Sequence, residues 1–222
     1  MRAYVSLWSA DPLAVGDAVR LIEDEADGFH IDIFDGHNVR DLLFGPDFVA
    51  ALRAHTDALL DVHLNVEDPD HWARRFIDVG ADMITLQPSA CPDVRTSLRR
   101  IAHAGARPGL GLEVGDATEL AEDLIEDIDR VLVMGTEIGV KGLGLDPHTA
   151  PRVRRLRATR DRSARRPEIV VDGGIRRQTV PELATAGADG VVPGSLVFGD
   201  ADPRAAVRWL HELDAQPETQ AR

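Results

Sequence analysis

FHIDIF (29–34) is a six-residue run rich in aromatic and β-branched residues, flanked at 12–25 and 46–54 by stretches with helical spacing. It reads as a short strand. His30 and Asp32 stand two apart and so share one face of it. The same unit recurs along the chain. AYVSLW (3–8) precedes it, and LLDVHLN (59–65), MITLQ (83–87), PGLGLEV (108–114), RVLVMG (130–135), EIVVD (168–172) and GVVPG (190–194) follow. Helices are expected near 12–25, 46–54, 69–78, 93–104, 117–124, 148–160, 178–186 and 203–213. Eight strands interleaved with eight helices predict an α/β protein with a parallel sheet covered by helices. An open doubly wound sheet accounts for about five or six strands. A closed (β/α)8 TIM barrel accounts for eight.

The punctuation agrees with this division. Asp68-Pro69 places a cap residue before a proline at the first helical position. Gly28, Gly80, Gly105 and Gly187 follow helical runs, where a left-handed glycine is expected. No linker or shift in composition divides the chain. A single domain is expected over 1–213, with a polar C-terminal tail, DAQPETQAR, over 214–222.

The net charge of −13, from 38 acidic and 25 basic residues, argues against nucleic acid as a partner. The basic run 152–166 reads as the solvated outer face of a helix. No apolar stretch approaches the ~20 residues of a membrane span, and MRAYVSLWSADPL meets an acidic residue too early for a secretory signal. Cys91 is the single cysteine, so neither a disulfide framework nor a thiolate metal site is expected, and the default location is cytoplasmic.

In such barrels chemistry sits at the C-terminal ends of the strands. His30 and Asp32 on the second strand, His63 near the end of the third and Asp172 closing the seventh can converge there. One inward histidine is more often a hydrogen-bonded core residue; four such groups suit one divalent ion, Zn, Fe, Mn or Co. DGGI (172–175) and PGS (193–195) end the last two strands, where backbone N–H groups commonly hold phosphate.

HIDIFDGHNV (30–39), DVHLN (61–65), VDGGI (171–175) and AGADGVVPGS (186–195) together resemble the ribulose-phosphate 3-epimerase family and its allulose-6-phosphate 3-epimerase relatives. The resemblance runs over nearly the whole chain. It implies metal-dependent C3 epimerisation of a ketose phosphate, with ribulose 5-phosphate and xylulose 5-phosphate or a related hexulose or heptulose phosphate as substrate. It further implies that His30, Asp32, His63 and Asp172 bind the metal, and that Asp32 and Asp172 are the acid/base pair. Ser6 and Met134 match substrate-contacting positions, and Gly173, Gly174, Gly194 and Ser195 match the phosphate-binding turns. Asp35 and His37 match the DGH turn, and a homo-oligomer is implied.

The chain departs from the family in the wall of the site. Phe34 and Asn65 replace methionines, Gln87 a histidine, Ser89 a glutamate, and Glu113-Val114 an Asn-Pro pair. The flap after the sixth strand reads TEIGVKGLG (136–144), which introduces Lys141. Asn65, Gln87 and Lys141 are therefore expected to contact a substrate with altered hydroxyls, Lys141 by reaching a phosphate or an extra hydroxyl. Two other readings compete: a sugar-phosphate lyase or decarboxylase on the same barrel, and a non-catalytic phosphosugar-binding protein. The Asp-x-Lys-x-x-Asp pattern of the first is absent.

Overall fold

The computed structural model describes residues 1–213, and the expected tail 214–222 lies outside them. The eight strand candidates become β1 (Arg2–Ser6), β2 (Gly28–Asp35), β4 (Leu60–Asn65), β5 (Met83–Leu86), β6 (Arg107–Leu112), β7 (Arg130–Met134), β8 (Glu168–Asp172) and β9 (Gly190–Val192). All pair in parallel, and β1 bonds both β2 and β9, so the ring closes. A two-residue strand, β3 (Leu42–Leu43), was not expected; it lies antiparallel to the end of β2, outside the ring.

The helices are α1 (Val15–Ile22), α2 (Pro46–Arg53), α3 (Pro69–Asp78), α4 (Val94–His103), α5 (Glu119–Asp123), α6 (Thr149–Arg160), α7 (Val180–Ala186), α8 (Ser195–Phe198) and α9 (Pro203–Glu212). The Asp68 side chain accepts from the His71 N–H at 3.2 Å, which caps α3 as expected. Helix α1 starts later than its pattern because the Asp11 carboxylate accepts from Leu13 N–H at 3.0 Å and holds a turn there. Gly80, Gly105 and Gly187 are left-handed as expected. Gly28 is not: it opens β2 opposite Tyr4, and a Cβ there would stand 2.8 Å from the Leu59 carbonyl oxygen. The four-residue α8 escaped the sequence pattern because it is too short to show a period. No helix among the described residues is long and apolar enough to cross a membrane.

Strand alternation divides the interior into two regions. Phe29, Ile31, Ile33, Val62, Leu64 and Val171 pack outward with the helices. Tyr4, Leu132, Met134, Val170 and Val192 form a separate cluster within the ring. Toward the N-terminal ends of the strands this interior is ionic. Arg130 is fully buried and donates to Asp61, also fully buried, and to Glu168 at 2.9 Å. Its guanidinium carbon lies 3.8 Å from the Tyr4 ring centroid, and the Tyr4 hydroxyl donates to Glu168 at 3.0 Å. Arg2 also pairs with Glu168, and Arg107 approaches it at 3.7 Å.

Removing one member of such a network strands the others as buried charges, which costs about 3–5 kcal/mol. Arg130→Leu is therefore expected to lower the unfolding free energy by about that amount in urea titration. Arg74→Ala, which breaks the exposed Arg74–Asp78 pair, is expected to change it by about 0.5 kcal/mol or less.

Candidate functional site

The strand register carries the functional side chains to one level. Ser6 is opposite His30, Asp32 opposite His63, and Met134 opposite Asp172, each pair on neighbouring strands. One ligand atom from each of His30, Asp32, His63 and Asp172 lies within 4.8 Å of the others. His30 Nε2 stands 3.4 Å from Asp32 Oδ1 and 3.8 Å from Asp172 Oδ2. It is buried without a hydrogen-bond partner among the described residues. His63 Nδ1 is 3.1 Å from Asp32 Oδ1.

Two imidazole nitrogens and two carboxylates converging on one point can hold a divalent metal ion. The unpartnered His30 Nε2 fits that reading, since an orphaned buried polar atom costs about 1–3 kcal/mol unless something takes it up. The other nitrogen of each ring is engaged. His30 Nδ1 is 2.9 Å from Asp61 Oδ2, so Nδ1 donates to that carboxylate and Nε2 is the nitrogen turned toward the cluster. Burial would raise the Asp61 carboxyl, but Arg130 and His30 outweigh it and hold it below the usual carboxylate range. His63 Nε2 is 2.7 Å from the Gln87 amide. A metal on His63 Nδ1 puts the proton on Nε2, and Gln87 then accepts it through Oε1 with its two amide ends exchanged. Gln87 has room because β6 carries Gly111; a Cβ there would lie 2.8 Å from the amide carbon.

The two carboxylates titrate apart. Burial pushes Asp172 up, and the nearby Asp32 charge adds to this, to about 6. Burial acts on Asp32 too, but His30 and His63 outweigh it and hold that carboxyl well below the usual range. One group that gains a proton readily beside one that stays ionised is the arrangement expected of an acid/base pair.

Above this floor is a cavity of about 330 Å³. Ser6, Asp32, Met134, Lys141, Asp172, Gly173, Gly174, Gly194 and Ser195 all line it, together with Phe34 and Trp8. Gly173 and Gly174 have φ of +89° and +69°, and a Cβ on Gly174 would stand 2.6 Å from Leu145 Cα. Only glycine suits that turn. The segment 136–143 covers the cavity and is tied down on both sides. Lys141 Nζ donates to the Trp8 carbonyl at 2.7 Å and sits 4.2 Å from the Trp8 ring centroid. Arg176 donates to the carbonyls of Gly142 and Leu143 at 3.1 and 3.3 Å. Trp8 in turn meets Phe34 edge to face at 5.2 Å. In the DGH turn, Asp35 accepts from His37 N–H at 3.0 Å and Glu67 N–H at 2.8 Å, which ties the ends of β2 and β4 together.

Asn65 and Gln87 do not line this cavity. They face a second one of about 190 Å³. Asp61, Arg130, Glu168 and Tyr4 were not singled out in the sequence. The signal available was parity: Asp61 shares a face with His63, and Glu168 shares one with Asp172.

The family model described as "Ribulose-phosphate 3 epimerase family" matches residues 3–198. Ribulose-phosphate 3-epimerase of Bacillus subtilis (strain 168) is 33% identical over 91% of this chain and 94% of its own length. The enzyme of the same name from Rhodobacter capsulatus is 38% identical over 87% of this chain and 84% of its own length. Among solved structures, orotidine 5'-phosphate decarboxylase from Pyrococcus horikoshii OT3 superposes with a TM-score of 0.69 at 15% identity, covering 97% of this chain and 100% of that one. A 3-hexulose-6-phosphate synthase gives 0.62 at 20%, covering 96% of this chain and 99% of that one. At those identities the likeness concerns the fold alone.

Asp61→Asn is expected to weaken divalent-metal affinity by about 10–100-fold, because the His30 ring loses its anionic partner. Competition against a chromophoric chelator measures this, and near-UV circular dichroism checks that the fold is kept.

Proposed function

Because this chain belongs to the ribulose-phosphate 3-epimerase family, we propose that it epimerises a ketose phosphate at C3, with Asp32 and Asp172 as the acid/base pair. The observation that carries this reading is the placing of those two carboxylates on β2 and β8, beside one cavity and within one His/Asp cluster.

Inverting a carbon beside a carbonyl needs a proton taken from one face and another returned to the opposite face. A single base restores the original configuration; two carboxylates do not. One carboxylate takes the C3 proton, and the C–H electron pair forms the C2–C3 double bond as charge moves to the C2 oxygen. The other carboxylate then delivers a proton to C3 from the opposite side, and the carbonyl re-forms. The reverse turnover exchanges the two roles.

His30, Asp32, His63 and Asp172 would hold a divalent ion, and bound there it would supply positive charge against the developing enediolate charge, an effect worth several kcal/mol. Zn, Fe, Mn and Co all suit this donor set. Phe34, Met134 and Val192 keep water from the reacting carbons, and Ser6 orients a substrate hydroxyl. The backbone N–H groups of Gly173, Gly174, Gly194 and Ser195 hold the phosphate. Lys141 closes the cover over it and adds positive charge.

Proton NMR in D₂O tests the reading, with metal-loaded protein and ribulose 5-phosphate, a hexulose phosphate and a heptulose phosphate in parallel. Deuterium is expected to enter at C3 as the epimer appears, and Asp172→Asn is expected to reduce kcat about 10²–10⁴-fold. Chelation is expected to abolish exchange, and added divalent metal to restore it. Absence of exchange in every sugar with metal bound removes the proposal.

A further inference from the structure

The second cavity is built from the ends of three adjacent strands. Asn65 closes β4, Gln87 follows β5 and Glu113 follows β6. Asn38 and Glu137 complete its polar lining. It shares Glu137 and Ile138 with the main cavity, so the two adjoin at the root of the covering segment.

Two features mark it as a built site. Asn65 is 1% exposed, yet neither Oδ1 nor Nδ2 has a hydrogen-bond partner among the described residues. Gln87 is 2% exposed and meets His63 through one end of its amide, which leaves the other end without a partner among the described residues. Leaving buried amides unmatched is costly, because they have given up water without gaining a partner. Three such atoms at one cavity are accounted for by a ligand that hydrogen-bonds them.

The charge is one-sided. Glu113 and Glu137 are the ionisable side chains in the lining, and no lysine or arginine is among them. Ser89 donates to Glu113 Oε1 at 3.1 Å, and Arg152 lies behind it, donating to its main-chain carbonyl at 2.8 Å. Negative charge from Glu113 and Glu137 therefore dominates, which favours donor-bearing groups and repels anions.

Position tells which part of a substrate reaches it. The glycine turns sit after β8 and β9; the second cavity sits at β4 to β6, across the ring. The four-residue His/Asp cluster lies between them, with His63 touching Gln87 on one side and Asp32 on the other. A ketose phosphate with its phosphate on the turns and C3 at the carboxylates points carbon 1 toward Asn65 and Gln87. Resting on the epimerase reading above, we infer that this cavity recognises a hydrogen-bond-donating, non-anionic substituent on carbon 1. A hydroxyl and an ammonium share that chemistry. Substrate selection thus acts at the end of the sugar away from the phosphate.

The test compares four probes by C3 proton exchange and kcat/KM: xylulose 5-phosphate and its 1-deoxy, 1-amino-1-deoxy and 1-phosphorylated counterparts. The hydroxyl or amino substrate is expected to exceed the 1-deoxy compound by about tenfold or more, because an analogue lacking the donor leaves buried polar groups unpaired. The 1-phosphorylated compound is expected to be the poorest. Asn65→Leu and Glu113→Gln are each expected to shrink the ratio of amino or hydroxyl to 1-deoxy turnover. Whichever of hydroxyl and ammonium leads identifies the group recognised. If the 1-deoxy compound reacts within about threefold of both, or the 1-phosphorylated compound reacts as well as they do, the inference is overturned while the epimerase reading stands. If no probe exchanges at C3, the epimerase reading itself fails.

Discussion

The Arg130 guanidinium, sealed inside the ring between Asp61 and Glu168 and lying over the Tyr4 face, is the contact on which the rest of the site depends. A buried cation is tolerated only with partners that satisfy it, and here those partners come from three other strands. Asp61 is drawn from β4, Glu168 from β8 and Tyr4 from β1. The network therefore crosses the ring at the N-terminal ends of the strands and constrains their relative rotation. Its second consequence lies one level up. Asp61, kept anionic by Arg130, holds the His30 ring and directs Nε2 toward Asp32 and Asp172. Stability at the base of the barrel and the geometry of the His/Asp cluster at its mouth are thus two ends of one chain of hydrogen bonds.

The upper end is organised differently. Around the cavity the walls combine rigid and adjustable parts. The DGG turn after β8 is confined by positive φ and by close packing on Leu145. The segment 136–143 is held by a few polar contacts, from Lys141 to Trp8 and from Arg176 to two carbonyls. Such exposed contacts compete with water, so this segment is held less firmly than the buried His/Asp cluster beneath it. Lys141 was expected to reach the substrate. Its ammonium is on the Trp8 carbonyl and ring at the edge of the cavity that it lines.

The residues read as departures from the resemblance fall in two places: Phe34 and Lys141 line the main cavity, and Asn65, Gln87 and Glu113 line the second. Asn65, Gln87 and Glu113 stand on adjoining strands and face a common space, so replacements that are scattered in the sequence form one surface in the fold. Gly111 makes the room for this surface, since its missing Cβ is what admits the Gln87 side chain. Gly173, Gly174, Gly194 and Ser195 line the main cavity at the ends of β8 and β9.

The alternation of strand and helix, the closure into eight units and the placing of His30, Asp32, His63 and Asp172 at strand ends were all legible in the chain. They are written in local terms: a period of two along a strand, a cap before a helix, a glycine after one. Misjudged boundaries came from equally local competition, as at Asp11, whose side chain holds a turn where helical spacing had begun. What sequence alone left undecided was every relation that depends on register between strands far apart in the chain. Arg130 and Asp61 are 69 residues apart, and nothing in either strand names the other. The second cavity is of the same kind, because an Asn, a Gln and a Glu become a site only when closure of the barrel sets their three strand ends side by side. Local patterning determines which face of a strand a residue occupies, and only the packed ring decides what that face meets.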